Sequence, residues 1–247
     1  MLKNSPATLT KKKLIAENTV ELTFLISVPN FFFKAGQYVS IEIPSLADAS
    51  VPDRYHDFSI ASSPLKSNEI SIAFRISQSI FKTALLALPL GGVVTIDGPK
   101  GVFTLPEPES PSIVNGQMSN VRQLVFIAGG IGITPLLSMI RYATETSSSQ
   151  HITLLHCNRS KETIAYADEL SLLEQKNPHF TLVSLLGTPD KKLFAPYVQN
   201  AIKTPDALWY IVGAPAMVKK VQQILAEFGI LDTQIQIEEF SGYEQQQ

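Results

Sequence analysis

The sequence predicts two domains of different class: an antiparallel β-barrel over the first hundred residues, followed by an α/β domain built on a parallel sheet. Three observations predict this. Up to about Leu105 the chain reads as short β-prone runs separated by Gly, Pro, Asn and Ser, the pattern of a small all-β barrel. From Arg122 onward, apolar strand-like runs alternate with segments of helical period, as in strand–helix–strand crossovers onto a parallel sheet. Between them, residues 106–120 read PEPESPSIVNGQMSN, rich in Pro, Ser and Asn and without a period. The expected boundaries are a barrel domain over 1–106, a linker over 107–121 and an α/β domain over 122–247.

Taken in order, the first domain has expected strands over 8–15, 20–26, 38–43, 57–60, 70–76 and 93–98. One helix interrupts them: Ser79 suits the cap of IFKTALLAL (80–88), which stops at Pro89-Leu90-Gly91-Gly92. The second domain reads as strand 124–128, helix 135–144, strand 152–157, helix 163–174 and strand 180–185. It continues as a helical stretch over 193–201, strand 207–212, helix 216–228 and a last strand over 235–239.

Composition excludes several function classes. With 247 residues, 45% hydrophobic and 17% charged, the chain can bury a substantial core and is not disordered by composition. A net charge of -2 gives no footprint for nucleic acid. Lys11-Lys12-Lys13, the longest basic run, reads as a solvated strand edge. No stretch approaches the roughly 20 apolar residues of a membrane span, and the amino terminus lacks a signal-peptide core. Cys157 is the only cysteine, and His56, His151, His156 and His179 have no metal-ligand spacing. The expectation is a cytoplasmic, reduced, metal-free protein.

The most informative stretch is LVFIAGGIGITPLL (124–137). A continuous apolar run suits a strand covered on both faces. Gly129, Gly130 and Gly132 permit a sharp turn and a ligand approach closer than a Cβ allows. Thr134 suits the cap of the following helix and Pro135 its first turn. A strand, a glycine turn and a helix N-terminus form a cradle for phosphate or pyrophosphate. The same residues also suit a tight strand–helix connection that holds no ligand. Gly213-Ala214-Pro215 follows another strand, so two loops on the same sheet edge can line one cleft.

Five fragments in this order resemble the ferredoxin–NADP reductase superfamily, over nearly the whole chain. Phe58-Ser59-Ile60-Ala61-Ser62-Ser63-Pro64 resembles its Arg-x-Tyr-Ser or Arg-x-Phe-Ser flavin motif, and Gly98-Pro99-Lys100-Gly101-Val102-Phe103 its Gly-Pro-x-Gly-x-Phe. The turn from Ala128 to Pro135 is similar to Ala-Gly-Gly-x-Gly-Ile-Thr-Pro. Val212-Gly213-Ala214-Pro215-Ala216-Met217 resembles Cys-Gly-Pro-Pro-x-Met, and Glu238-Glu239-Phe240-Ser241-Gly242-Tyr243 resembles the Glu-x-Phe-x-Gly-Tyr ending. The resemblance implies a flavin-dependent oxidoreductase that accepts hydride from NADH or NADPH onto bound FAD, FMN being second choice, and passes electrons to a separate acceptor. It implies that Phe58 packs on the flavin ring, that Ser59 offers its hydroxyl to the hydride-accepting nitrogen, and that Ile60 adjoins the cofactor. Arg75 and the Ser79 cap then serve the flavin phosphates. Gly129, Gly130, Gly132 and Thr134 serve the coenzyme pyrophosphate and nicotinamide, Gly213 and Pro215 the nicotinamide side, and Tyr243 covers the ring, with Glu238 or Glu239 near it. Ser59 and Thr134 are the expected catalytic pair.

The sequence departs from the family in three places. His56 stands where the motif has arginine; the charge then comes from Arg54, two residues earlier, from Arg75 or from Lys82, or the diphosphate is held more weakly. Val212 replaces a cysteine placed beside the nicotinamide. The stretch from Ser184 to Asp190 lacks the Ser-Arg pair that grips the extra phosphate of NADPH, which favours NADH; Asp190 suits ribose hydroxyls, while Lys191, Lys192 and Arg159 are the available phosphate partners. Two other classes remain open: an electron-transfer subunit that acts with a partner chain, and a nucleotide-binding regulatory protein that has lost its flavin.

Overall fold

The computed structural model describes residues 2–28, 31–48, 54–66, 68–106, 112–114, 117–119, 123–203 and 207–240. Six strands come first: β1 (Leu2–Ala16), β2 (Thr19–Ile26), β3 (Tyr38–Glu42), β4 (Tyr55–Ser59), β5 (Glu69–Arg75) and β6 (Val93–Lys100). Helix α1 (Ile80–Ala87) stands between the last two. They form one antiparallel sheet in the order β4-β3-β6-β1-β2-β5. Just beyond β4, the Ala61 N–H donates to the Ser71 carbonyl of β5 at 2.7 Å. The two ends of the order therefore meet, which leaves the barrel no long open edge. Its interior is made by period-2 alternation: Leu9, Leu22, Phe24, Ile41, Ile70, Ile72 and Ile96 are fully buried. Each contributes on the order of 1.5–3 kcal/mol by leaving water. The Lys11–Lys13 run is exposed and edge-like, as expected: it pairs with Thr23, Leu22 and Glu21 of β2 on one side, while β6 pairs with β1 only as far as Thr8, and Lys12 Nζ donates to the Leu86 carbonyl near the end of α1.

Inside the expected linker, β7 (Ser112–Val114) and β8 (Gln117–Ser119) pair as an antiparallel ribbon. Strands of three residues carry too little periodicity to be read from composition. The rest of 107–121 lies outside the described residues.

Five later strands make a wholly parallel sheet: β9 (Gln123–Gly129), β10 (His151–Asn158), β11 (Phe180–Leu186), β12 (Leu208–Gly213) and β13 (Ile235–Glu239). The connecting helices are α2 (Ile133–Glu145), α3 (Ala167–Lys176), α4 (Lys191–Ala201) and α5 (Pro215–Glu227). On one face Val125, Ile127, Leu155, Trp209 and Ile211 pack with Phe194 and Val198 of α4 and with Val218, Val221 and Leu225 of α5. The other face carries Leu124, Phe126, Ala128, Leu154 and His156, all fully buried. Sheet order is β11-β10-β9-β12-β13, so it reverses between β9 and β12. Such a switch point opens a crevice at the strands' carboxyl ends.

α3 starts later than the expected 163. Tyr166, at φ 61, precedes it, and Thr163 closes a separate turn by bonding both backbone groups of Ser160. The chain divides into two compact units, residues 1–104 with 134–142 and residues 105–133 with 143–247. Within the first, Ser138 Oγ donates to the Ser62 carbonyl at 2.6 Å and Arg141 to that of Ala61 at 2.7 Å. Among the described residues no helix is long and apolar enough to cross a membrane, and no three His, Cys, Asp or Glu side chains are placed to hold a metal ion.

Candidate functional site

In the first unit, β4 carries the flavin-motif residues. Alternation places His56 and Phe58 on one face and Ser59 on the other. Phe58 is only 7% exposed, with its ring centroid 5.8 Å from Phe74 and 6.1 Å from Phe81. His56 stacks on Phe81 at 4.6 Å and 17°. Much of the Phe58 surface is thus spent on the barrel's own aromatic cluster. Ser59, also buried, ends β4 opposite Tyr38. Ile60 follows directly: its side chain is fully buried, and its N–H donates to the Gln37 carbonyl at 2.9 Å.

Arg54 does not fill the gap left by the motif arginine. Its Nε lies 2.6 Å from Glu42 Oε1, and the guanidinium sits 5.0 Å over the Tyr55 ring. Arg75, at the end of β5, and Lys82, in the first turn of α1, are half-buried and make no ion pair among the described residues. Burial pushes the Lys82 ammonium below its ordinary pKa. The Ser79 hydroxyl accepts the Lys82 N–H at 3.5 Å and caps α1, as expected. A desolvated cation without a carboxylate, beside a capped helix N-terminus, suits a phosphate group. These residues fit the diphosphate of a flavin nucleotide.

In the second unit, β9 runs into a 3-10 turn over Gly130–Gly132, and α2 starts at Ile133. Gly130 takes φ 53, a left-handed conformation that favours glycine. Its carbonyl accepts the Ile133 N–H and faces His156 Nε2 at 3.0 Å. The other glycines are small for the protein's own packing. A Cβ would stand 2.1 Å from Met217 Sδ at Gly129, 2.7 Å from the same sulfur at Gly213, and 2.9 Å from the Val212 carbonyl oxygen at Gly132. The missing Cβ atoms let β9, β12 and α5 close together. Thr134 is likewise not the cap. It lies inside the first turn of α2 at 1% exposure, because the Gly130 carbonyl starts the helix two residues early. That first turn carries no acidic residue, so its positive end keeps its pull on an anion.

Gly213 ends β12 and its carbonyl accepts the Phe240 N–H at 2.9 Å; exposed Pro215 opens α5. Glu238 and Glu239 stand opposite Val212 and Gly213 on β13, while Tyr243 lies outside the described residues. Asp190 caps α4, one carboxylate oxygen accepting the Leu193 N–H at 2.7 Å. Lys191 pairs with Glu227 at 2.8 Å, whereas Lys192 and Arg159 are exposed and make no ion pair among the described residues. Met217 and His156 are the residues that sequence reasoning missed. For His156 the signal was a lone polar ring inside an apolar strand, ITLLHC.

Residues 126–223, from β9 into α5, match the family described as oxidoreductase NAD-binding domain. The six-stranded antiparallel domain, followed in the chain by the parallel one, has the two-domain fold of the ferredoxin reductases. Over 97% of this chain and 99% of the other, it superposes on the flavohem-like FAD/NAD-binding domain of nitric oxide dioxygenase from Vibrio cholerae O1 biovar El Tor, at 17% identity and a TM-score of 0.78. A subunit of the Na(+)-translocating NADH-quinone reductase of Klebsiella pneumoniae is 26% identical, over 85% of this chain and 61% of the relative. Phenol 2-monooxygenase reductase component DmpP of a Pseudomonas species is also 26% identical, over 84% and 58%. The chain thus spans about three fifths of these relatives' length.

Proposed function

We propose that the chain is a flavin-dependent oxidoreductase, which takes hydride from NADH onto bound FAD and hands electrons to a separate acceptor. One observation carries the reading: the glycine turn of an NAD-binding domain stands at the point where sheet order reverses, at the amino end of a helix without first-turn acids. The barrel, over 1–106, holds the flavin; 122–247 holds the coenzyme. Bound flavin supplies a hydride acceptor that can release electrons singly or in pairs.

The chain's residues then have separable duties. Lys82, Arg75 and the Ser79-capped end of α1 hold the flavin diphosphate, with His56 and Phe58 as a stacked aromatic backing. Ser59 offers its hydroxyl to the ring nitrogen that receives hydride. Gly129, Gly130, Gly132 and the start of α2 hold the coenzyme pyrophosphate, and Thr134, Gly213 and Pro215 line its nicotinamide side. NADH is preferred because the stretch from Ser184 to Asp190 holds no arginine to grip the extra phosphate of NADPH. The acceptor is another molecule, such as an iron–sulfur or haem protein, a quinone or ferric iron, and the reaction runs in the cytoplasm.

The test is colour and coenzyme. Purified protein is expected to be yellow, to release FAD on denaturation, and to reduce ferricyanide faster with NADH than with NADPH. Colourless protein that neither FAD nor FMN reconstitutes overturns the proposal. A second reading, an electron-transfer subunit, draws on the names of the relatives, one a reductase subunit and the other a reductase component. Co-purification of a stoichiometric partner, with turnover only in its presence, distinguishes it.

A further inference from the structure

His156 lies on β10 opposite Ala128 of β9, and none of its surface reaches solvent. Its Nε2 is 3.0 Å from the Gly130 carbonyl oxygen. A carbonyl only accepts, so the ring is the Nε2–H tautomer and donates; Nδ1 is left as a buried acceptor with no hydrogen-bond partner among the described residues. Asn158, two residues along the same strand, donates from Nδ2 to the His156 carbonyl at 3.4 Å.

The Gly130 carbonyl is shared. It also accepts the N–H of Ile133, the first residue of α2, so one oxygen ties the second strand of the sheet to the turn and to the start of the helix. A trans peptide is planar, so a carbonyl fixed toward His156 fixes the next N–H in the opposite direction. Gly130 holds its left-handed φ of 53 within this arrangement. A buried imidazole with one nitrogen unpaired is an expensive choice for a core position. Leucine or phenylalanine would fill the strand at lower cost and leave the Gly130 carbonyl its bond from Ile133. Fold stability alone does not account for histidine here.

We propose that His156 is a positioning residue for the pyridine nucleotide: as a neutral donor it holds the Gly130 carbonyl inward, so that the turn keeps the shape that receives the pyrophosphate. The inference rests on the coenzyme reading above. Burial keeps the ring in the form that can do this, pushing its pKa down to about 4.

Two variants and one spectrum test it. H156L removes the donor, while H156Q extends an N–H to about the same place. With NADH and ferricyanide, H156L is expected to raise KM for NADH about three- to tenfold, the range of one lost hydrogen bond. Its kcat, flavin absorbance and reduction by dithionite stay unchanged, and its melting midpoint is not lowered. H156Q recovers most of the KM. Folded H156L with an unchanged KM overturns the proposal, as does an H156Q as impaired as H156L. If wild-type protein holds flavin but does not oxidise NADH, the coenzyme reading fails and this inference with it, so the control identifies which has failed. Independently of folding in the variants, nitrogen-15 NMR of wild-type histidine rings is expected to show one ring as neutral Nε2–H from about pH 5 to about 8. A charged ring at His156, or the Nδ1–H tautomer, overturns the proposal.

Discussion

Gly129 and Gly132 are small for different neighbours, and substitution separates them. A Cβ at 129 meets the far end of the flexible Met217 side chain; at 132 it meets the backbone of Val212. G132A is expected to cost about 1–3 kcal/mol, as overpacking against atoms that cannot move does. G129A costs less, and M217A recovers the loss; urea melts read both. S59A is expected to slow flavin reduction by NADH roughly tenfold, the equivalent of one well-made hydrogen bond, with flavin content unchanged. An unchanged rate in stopped flow removes Ser59 from the reaction. His156 gives a pH signature. Its pKa falls from 6.5 to about 4 in the fold, so between those values the unfolded chain binds more protons. Stability from this residue is complete above about pH 6.5 and declines as pH falls, by up to about 3 kcal/mol near pH 4; H156L melts followed across that window lose this slope. At this scale the sequence exposed the motifs but not the partners. Ser59 and the glycine turn are local patterns. The Glu42 bond of Arg54 and the Asp190 cap depend on where side chains land, and spacing along the chain does not specify that.

Helix caps test the reading at the scale of elements. Ser79 and Asp190 both cap helices, at 3.5 Å and 2.7 Å. D190A is expected to lose about 1 kcal/mol and S79A about half of that, in thermal melts. If Asp190 is only a cap, D190A leaves the NADH-to-NADPH rate ratio unchanged; a shift toward NADPH returns it to coenzyme recognition. Strand positions were legible because period-2 alternation and unbroken apolar runs survive in a single sequence. Helix starts were less so. α2 begins early through the Gly130 carbonyl, and α3 late behind Tyr166, and both depend on backbone bonds that residue preference does not specify. The β7–β8 ribbon was hidden because three residues hold barely one alternation.

For the whole molecule, the two-part plan was readable from a change in pattern near residue 106, but the compact units do not follow chain order. Residues 134–142 of α2 belong with the barrel strands, through bonds such as Ser138 to Ser62 and Arg141 to Ala61, whose partners stand 76 and 80 residues apart. Contacts that distant leave no local signature. The central claim is that this chain carries hydride from a nicotinamide to a flavin, and an anaerobic titration with NADH, followed in the flavin absorption bands, tests it most directly. The account predicts that the bands bleach with stoichiometric NADH and return when ferricyanide is added. Flavin-loaded protein whose bands stay unchanged in excess NADH would contradict it.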